Sequence, residues 1–255
     1  MLHLADRANC PVIILGSPDL QRVTAHLRLA DLCIDGNRAN QQLEFWRAAA
    51  DGSQLNNNGI DVWNVNDAVV ERVVCRSCRS GGLVTAVTRR LNVRNFTAFD
   101  NQFDGLACYF TEESHFTGLN LHDNLAAGIS LDLSFNHNVI NDAVLTGNDI
   151  GIFMRQACDN SFHGLTISKS RKYGVFMAQT AESSPKGWAL VSGTECTGNN
   201  FDGLVISDYG RDPFLIHNLS CKNNVIHDAH FLKNSHAGGI QTVINSVNVL
   251  DLIHP

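Results

Sequence analysis

Several things are missing from this 255-residue sequence, and each absence removes a class of function. It contains no uninterrupted apolar run of the ~18 residues a membrane helix needs, so a spanning segment is not expected. It has no basic stretch, and its formal net charge of −6 disfavours a nucleic-acid partner, because phosphate backbones are met by clustered Lys and Arg. Met1 to Pro11 lacks the charged, apolar and small-residue succession of a secretory leader. Eight cysteines are present, but their spacing follows no small secreted disulfide framework. Cys75 and Cys78 form one C-x-x-C without a second pair or a histidine at zinc-site spacing, so buried thiols are expected rather than a metal.

What the sequence does have is a period. Glycines stand at 59, 82, 105, 128, 151 and 174, each 23 residues from the last, and each is followed by a branched aliphatic residue: Ile60, Leu83, Leu106, Ile129, Ile152 and Val175. A fixed period in the range of about 20–50 residues marks a solenoid or array. With the glycine as position 1, apolar residues concentrate at positions 2, 4, 12, 15 and 17. Position 12 reads Val70, Val93, Phe116, Val139 and Phe162, and position 17 reads Cys75, Ala98, Leu121, Val144 and Ile167. Position 15 reads Val73, Phe96, Leu119 and Leu165, with Asp142 as the exception. Pairs two apart share a strand face, so each coil is read as three short strands separated by bends and not as one helix. Stacked coils pair like strands in parallel, and parallel crossovers are right-handed. The expected fold is an all-β, single-stranded, right-handed parallel β-helix with ~23-residue coils.

Asn and Asp crowd the bends. Asn101 and Asn124 share position 20, and Asn160 and His137 share position 10, where stacked side chains can hydrogen-bond along the axis. Glycine at position 1 suits a bend needing positive φ or close backbone approach. One domain over residues 1–255 is expected, with regular coils at 59–174 and bend insertions near 35–58, 181–187 and 210–219. The 35–58 insertion reads as containing a helical turn or two. Beyond Gly174, Gly203 with Leu204, Val205 and Ser207 is read as resuming the first strand. A solenoid's end edges need cover, which a longer chain or an oligomer would supply.

With positions 2 and 4 inward, positions 3 and 5 face solvent. Position 5 reads Trp63, Ala86, Tyr109, Asp132 and Arg155, and position 3 reads Asp61, Val84, Ala107, Ser130, Phe153 and Phe176. Neighbours in a file are about 4.8 Å apart. Such a file of aromatic, acidic and basic side chains is what a carbohydrate groove requires. The competing reading is a surface ion pair between Asp132 and Arg155, with Trp63 and Tyr109 covering apolar surface.

These Asn- and Gly-rich 23-residue turns resemble the pectin-lyase-like superfamily of right-handed parallel β-helices, over about residues 12–250. The resemblance implies a polysaccharide or oligosaccharide partner and an exported or extracellular setting. The polygalacturonase motifs do not occur as a set: His163-Gly164 is preceded by Phe162 and not by glycine. The Asp-Pro-His motif of alginate epimerases is absent too. No family catalytic residue carries over.

Within that frame the candidate chemistry is a lyase or epimerase acting on a uronate polysaccharide. Tyr109, Asp132, Arg155 and Lys172 are the candidate catalytic residues, and Asp61, Trp63, Phe153 and Phe176 the substrate contacts. A cation meets the sugar carboxylate and acidifies the C5 proton, a base removes it, and an acid assists the leaving oxygen. A hydrolase needs two carboxyls about 5–9.5 Å apart, whereas Asp61 and Asp132 stand three rungs, roughly 14 Å, apart. Asp132 with Asp104 or Asp149 is the alternative pair. A calcium-assisted version would use Asp132, Asp149 and Asp104 as oxygen ligands, but no acidic cluster is dense enough to favour it, so no cofactor is expected. His115, His122 and His137 are further candidate bases; His122 reads as an exposed bend residue. A non-catalytic glycan-binding or structural β-helix, such as a tailspike module, is the competing class.

Overall fold

The computed structural model describes residues 1–17, 19, 21–42, 57–178, 196–216, 221–232, 241–242 and 249–252. The expected bend insertion at 181–187, and most of that at 35–58, lie outside the described residues. Within them the chain is a parallel β-helix. An 11-stranded and a 10-stranded sheet, all parallel, face each other along the axis. Strands such as Ile60–Asn66, Leu83–Arg89, Leu106–Glu112, Ala127–Asn136 and Ile150–Cys158 stack in the first sheet. Strands such as Val69–Arg76, His115–His122, Val139–Thr146 and Ser161–Ser168 stack in the second.

The three strands expected per coil are present as three limbs, but two of them share the second sheet. The strand there bends at one left-handed residue, filled by Arg72, Asn95, Gly118, Asp142, Gly164, Gly203 and Asp228 in successive coils. At Asn95 the bend splits the strand into Asn92–Arg94 and Thr97–Phe99.

The core is made by the inward columns. Ile60, Leu83, Leu106, Ile129, Ile152 and Val175 are fully buried, as are Val62, Thr85, Cys108, Leu131, Met154 and Met177 two residues on. Each large aliphatic side chain so placed contributes about 1.5–3 kcal/mol of burial. Cys75, Cys108 and Cys196 are buried free thiols, as their inward columns implied, and Cys78 is buried too. The glycine that opens each coil is required by close approach: a Cβ on Gly151 would stand 2.4 Å from the Gly174 carbonyl oxygen of the next coil.

One coil departs from the others. Leu133 and Ser134 both have positive φ, and the pairing register shifts between Asp132 and Phe135. This bulge inserts one residue. Ile140, Ala143 and Leu145 then point inward, against Phe116, Leu119 and Leu121. Val139, Asp142 and Val144 therefore do not occupy the inward columns expected of them, and the apparent exception at Asp142 is a register effect. The bend after Asn148 is one residue shorter, since Asn148 lies 24 residues past its ladder partner Asn124 while Ile150 pairs with Ala127. The two changes cancel, and the glycine period hides both.

The bulge also moves a ladder residue. Asn138, and not His137, joins the second asparagine ladder: Asn138 Nδ2 donates to Asn160 Oδ1 (3.2 Å), Asn160 to Asn199 (2.9 Å) and Asn199 to Asn224 (2.9 Å). On the other bend Asn101 donates to Asn124 (2.9 Å) and Asn124 to Asn148 (3.0 Å). Asn124 Nδ2 also reaches the Ala98 carbonyl (3.1 Å). Asn124→Ala should therefore cost about 2–4 kcal/mol, because it leaves buried partners unpaired above and below. A fall in the urea midpoint checks this; a change within error would mean the ladder contributes little.

Two assignments near the C-terminus are corrected. Asn200–Ser207 pairs with Ser161–Ser168, so Val205 and Ser207 belong to the second sheet, and Gly203 is the counterpart of Gly164 and not of Gly174. The first sheet is continued by Asp212–Ile216, which pairs with Tyr173–Met177 inside the expected 210–219 insertion. Equivalent glycines on the two sheets look alike in sequence, which is the source of the error. At the other end, a short 3-10 segment, Arg38–Asn40, opens the 35–58 insertion; Glu44 to Ala50, from which a helical turn was expected, lie outside the described residues.

Candidate active site

The first sheet sets the expected files in register. Trp63, Ala86, Tyr109, Asp132 and Arg155 are successive pairing partners, and so are Asp61, Val84, Ala107, Ser130, Phe153 and Phe176. Their exposure differs from expectation. Asp61, Asp132 and Arg155 are 7%, 2% and 1% exposed, while Trp63, Tyr109, Phe153 and Phe176 are half-buried. The file is not an open row of solvated side chains.

Asp132 and Arg155 form a bidentate pair, with Arg155 Nε on Oδ1 at 2.6 Å and Nη2 on Oδ2 at 2.5 Å. The guanidinium also lies over the Phe153 ring, 5.4 Å from its centroid. Neither the free cation nor the weak surface pair of the sequence reading describes this. It is a desolvated ion pair, whose fork geometry recovers part of a desolvation cost of several kcal/mol per ion. Burial pushes the Asp132 carboxyl upward, with the guanidinium opposing it. The Arg155 guanidinium is held above its ordinary value by Asp132, against the effect of burial.

Two acidic groups border the pair. Burial pushes the Tyr109 phenol well above its ordinary value, and the charges of Asp132 and Asp104 add to the rise. Asp104 is half-buried in the bend that leads into Leu106–Glu112, and its Oδ1 accepts the Ala127 N–H at 2.8 Å. Burial pushes its carboxyl up to about 7; the Ala127 N–H opposes this, Asp132 adds to it and Arg155 offsets it. A carboxyl titrating there exchanges a proton readily near neutral pH. Asp104 was weighed from the sequence only as a partner carboxylate or calcium ligand. Its position before Gly105, one coil from Asp132, was the available signal.

The remaining candidates are elsewhere. Lys172 sits on Asp149 (Nζ–Oδ2 2.7 Å), which Arg171 also approaches at 3.5 Å. Nearby, Arg211 donates from Nη1 to the Tyr173 hydroxyl at 3.2 Å. Tyr173 packs on Phe176 (centroids 4.8 Å apart), and Phe176 meets Phe153 edge-on at 5.9 Å. A cationic corner thus borders an aromatic strip on the first-sheet face. Asp61 accepts from Asn58 Nδ2 at 2.8 Å, and Asn58 Oδ1 accepts the Gly81 N–H at 2.8 Å, so Asp61 braces a bend. His115 and His122 lie on a second-sheet strand, where His122 stacks on Phe99 at 4.8 Å; it is half-buried and not the exposed bend residue expected. His137 is an exposed turn residue.

A protein-family model described as periplasmic copper-binding protein (NosD) matches residues 35–250. The chain belongs to the NosD family. No curated protein sequence matches it. Among solved structures, this NosD-family chain is similar to the mannuronan C-5 epimerase AlgE4 A-module of Azotobacter vinelandii, with a TM-score of 0.59, 16% identity, and coverage of 98% of this chain and 75% of that one. It is also similar to the periplasmic alginate epimerase AlgG, with a TM-score of 0.55 and 10% identity over 77% of this chain. It spans 42% of the AlgG chain. Endopolygalacturonase I from Stereum purpureum gives a TM-score of 0.50 at 13% identity, covering 83% of this chain and 77% of that one. At these identities the likeness is one of fold, that of the pectin-lyase-like parallel β-helices.

The family description names copper. Among the described residues, no three His, Cys, Asp or Glu side chains gather in a metal-holding arrangement. Met154 and Met177 are fully buried in the core, and burial pushes the Cys78 and Cys108 thiols to about 12. These groups do not fit a copper centre. Nor do Asp104, Asp132 and Asp149 fit calcium, because Asp132 and Asp149 are already neutralised by Arg155 and Lys172.

Proposed function

We propose that the chain acts on a uronate-containing polysaccharide lying along the outer face of the first sheet, as a lyase or epimerase. The observation that carries the reading is Asp104, a carboxyl pushed to about 7 beside a neutral phenol and a buried ion pair on that face. Asp104 in its ionised form takes the C5 proton. In elimination the freed electron pair forms the C4–C5 double bond, the C4–O4 bond breaks, and O4 takes the Tyr109 phenol proton. In epimerisation Tyr109 returns a proton to C5 from the other side. Asp132 and Arg155 stay paired and act as positioning residues: burial raises Asp104 and Tyr109, and the fixed charges of the pair adjust that rise, Asp132 adding to it and Arg155 opposing it. Phe153, Phe176 and Tyr173 support sugar rings, and Lys172 and Arg211 meet carboxylates further along the chain. The mannuronan epimerases that share the fold make uronans the first substrates to try.

Incubation with alginate, pectate and other uronans should raise absorbance near 235 nm if elimination occurs, or change the C5 configuration seen by NMR if epimerisation does. Replacing Lys172 and Arg211 by alanine together should raise KM about tenfold with little change in kcat, since charge-assisted contacts to substrate are removed. A kcat loss at constant KM would refute that role. A hydrolase is the second reading, favoured by the electrostatic contact between Asp104 and Asp132. It predicts new reducing ends without the 235 nm band. Inactivity on every uronan and neutral glycan would refute both.

A further inference from the structure

Cys196 and Cys221 stand three residues before the ladder asparagines Asn199 and Asn224, in consecutive coils. Their register is fixed from both sides. Asn224 Nδ2 donates to the Cys196 carbonyl at 2.8 Å, Gly198 N–H to the Lys222 carbonyl at 3.1 Å, and Asn200 pairs with Val225. Both side chains are fully buried in the core. The two thiols are within hydrogen-bonding reach of each other. In the coil below, the same column is occupied by Ala157, whose carbonyl takes the equivalent bond from Asn199 at 2.9 Å. The two cysteines lead into the paired strands Asn200–Ser207 and Val225–Leu232, whose spacing of about 4.8 Å falls inside the ~4.4–6.8 Å Cα range that a disulfide spans.

We propose that Cys196 and Cys221 are a disulfide site that links two consecutive coils when the chain folds under oxidising conditions. The reaction is exchange with a small disulfide such as oxidised glutathione. The two protein S–H bonds give way to one S–S bond, the protein loses two electrons and two protons, and the glutathione disulfide leaves as two thiols. Exchange takes place as the chain folds, because the finished core hides both sulfurs. The closed segment contains Asn200–Ser207 and Asp212–Ile216, with Arg211 between them, so the link clamps the coil that completes the cationic corner. The proposal is independent of the polysaccharide reading.

The full chain would be unfolded, refolded in a glutathione redox buffer, denatured without reductant, and alkylated. Of the eight cysteines, six should label, and peptide mapping should return one cross-link between the segments holding 196 and 221. The oxidised protein should unfold on the order of 5–10 °C higher than the reduced one. Eight labelled thiols, or cross-links that leave both 196 and 221 free, would overturn the site. A 196–221 link with no shift in midpoint would overturn the clamp.

Discussion

Asp104→Asn should abolish turnover and at the same time stabilise the protein above pH 7. The carboxyl titrates at about 7 in the folded chain against 3.8 for an ordinary aspartate. Between those values the folded state holds a proton that the unfolded state has released, so stability falls as pH rises through the window and stays lowered above it. Asparagine keeps the oxygen that accepts the Ala127 N–H and removes the titration. The variant should match the wild type near pH 3 and exceed it by about 2 kcal/mol at pH 8, a figure discounted for partial exposure. Urea unfolding at the two pH values checks this. Removing a general base costs about 10²–10⁴ in rate. If Asp104 is the base, wild-type kcat/KM rises as pH passes about 7; if it is a hydrolytic acid, the rate falls over the same interval. A variant with wild-type turnover would remove Asp104 from the chemistry altogether.

Arg155→Met should be among the most destabilising single changes on the first-sheet face. It leaves the 2%-exposed Asp132 carboxylate buried without its partner. Breaking a buried pair from one side costs about 3–5 kcal/mol, whereas replacing both members by apolar groups of similar size is often neutral. Asp132→Leu combined with Arg155→Met should therefore recover most of the stability lost by the single variant. The double variant should still be impaired in turnover, because the fixed charges beside Asp104 and Tyr109 are gone. Equilibrium unfolding of the two single variants and the double variant gives the coupling directly. If the single change costs less than 1 kcal/mol, the pair is solvated and its positioning role fails.

The fold was legible because solenoid repetition writes the same contact many times. Six glycines, each followed by an aliphatic residue, report one packing problem solved in the same way. The location of the ion pair followed from that spacing, since Asp132 and Arg155 occupy one file. The bulge at Leu133–Ser134 was not legible. Its extra residue is cancelled within the same coil, so the period is blind to it and points to His137 as the ladder residue in place of Asn138. Burial of the file was also hidden: alternation tells which way a side chain leaves the sheet, but not what meets it there. Asp104 was legible only as a partner carboxylate or calcium ligand and not as the base, because a bend residue's direction is set by turn geometry that no period encodes.

The two asparagine ladders do not run side by side along the whole axis. One holds Asn101, Asn124 and Asn148, and the other Asn138, Asn160, Asn199 and Asn224. Among the described residues only the coil that opens at Gly128 contributes an asparagine to each, Asn138 and Asn148. That coil carries Asp132. The coil before it is held at both bends too, but with Ser114 in place of one asparagine: the Ser114 N–H donates to Asn138 Oδ1 at 2.8 Å, and Ser114 Oγ accepts the Leu91 N–H at 3.0 Å. Local opening should be least favourable where the buried ion pair sits. The coil that carries Asp132 is thus joined to its neighbours by asparagine side chains at both bends, and the buried pair proposed to position the site sits on it.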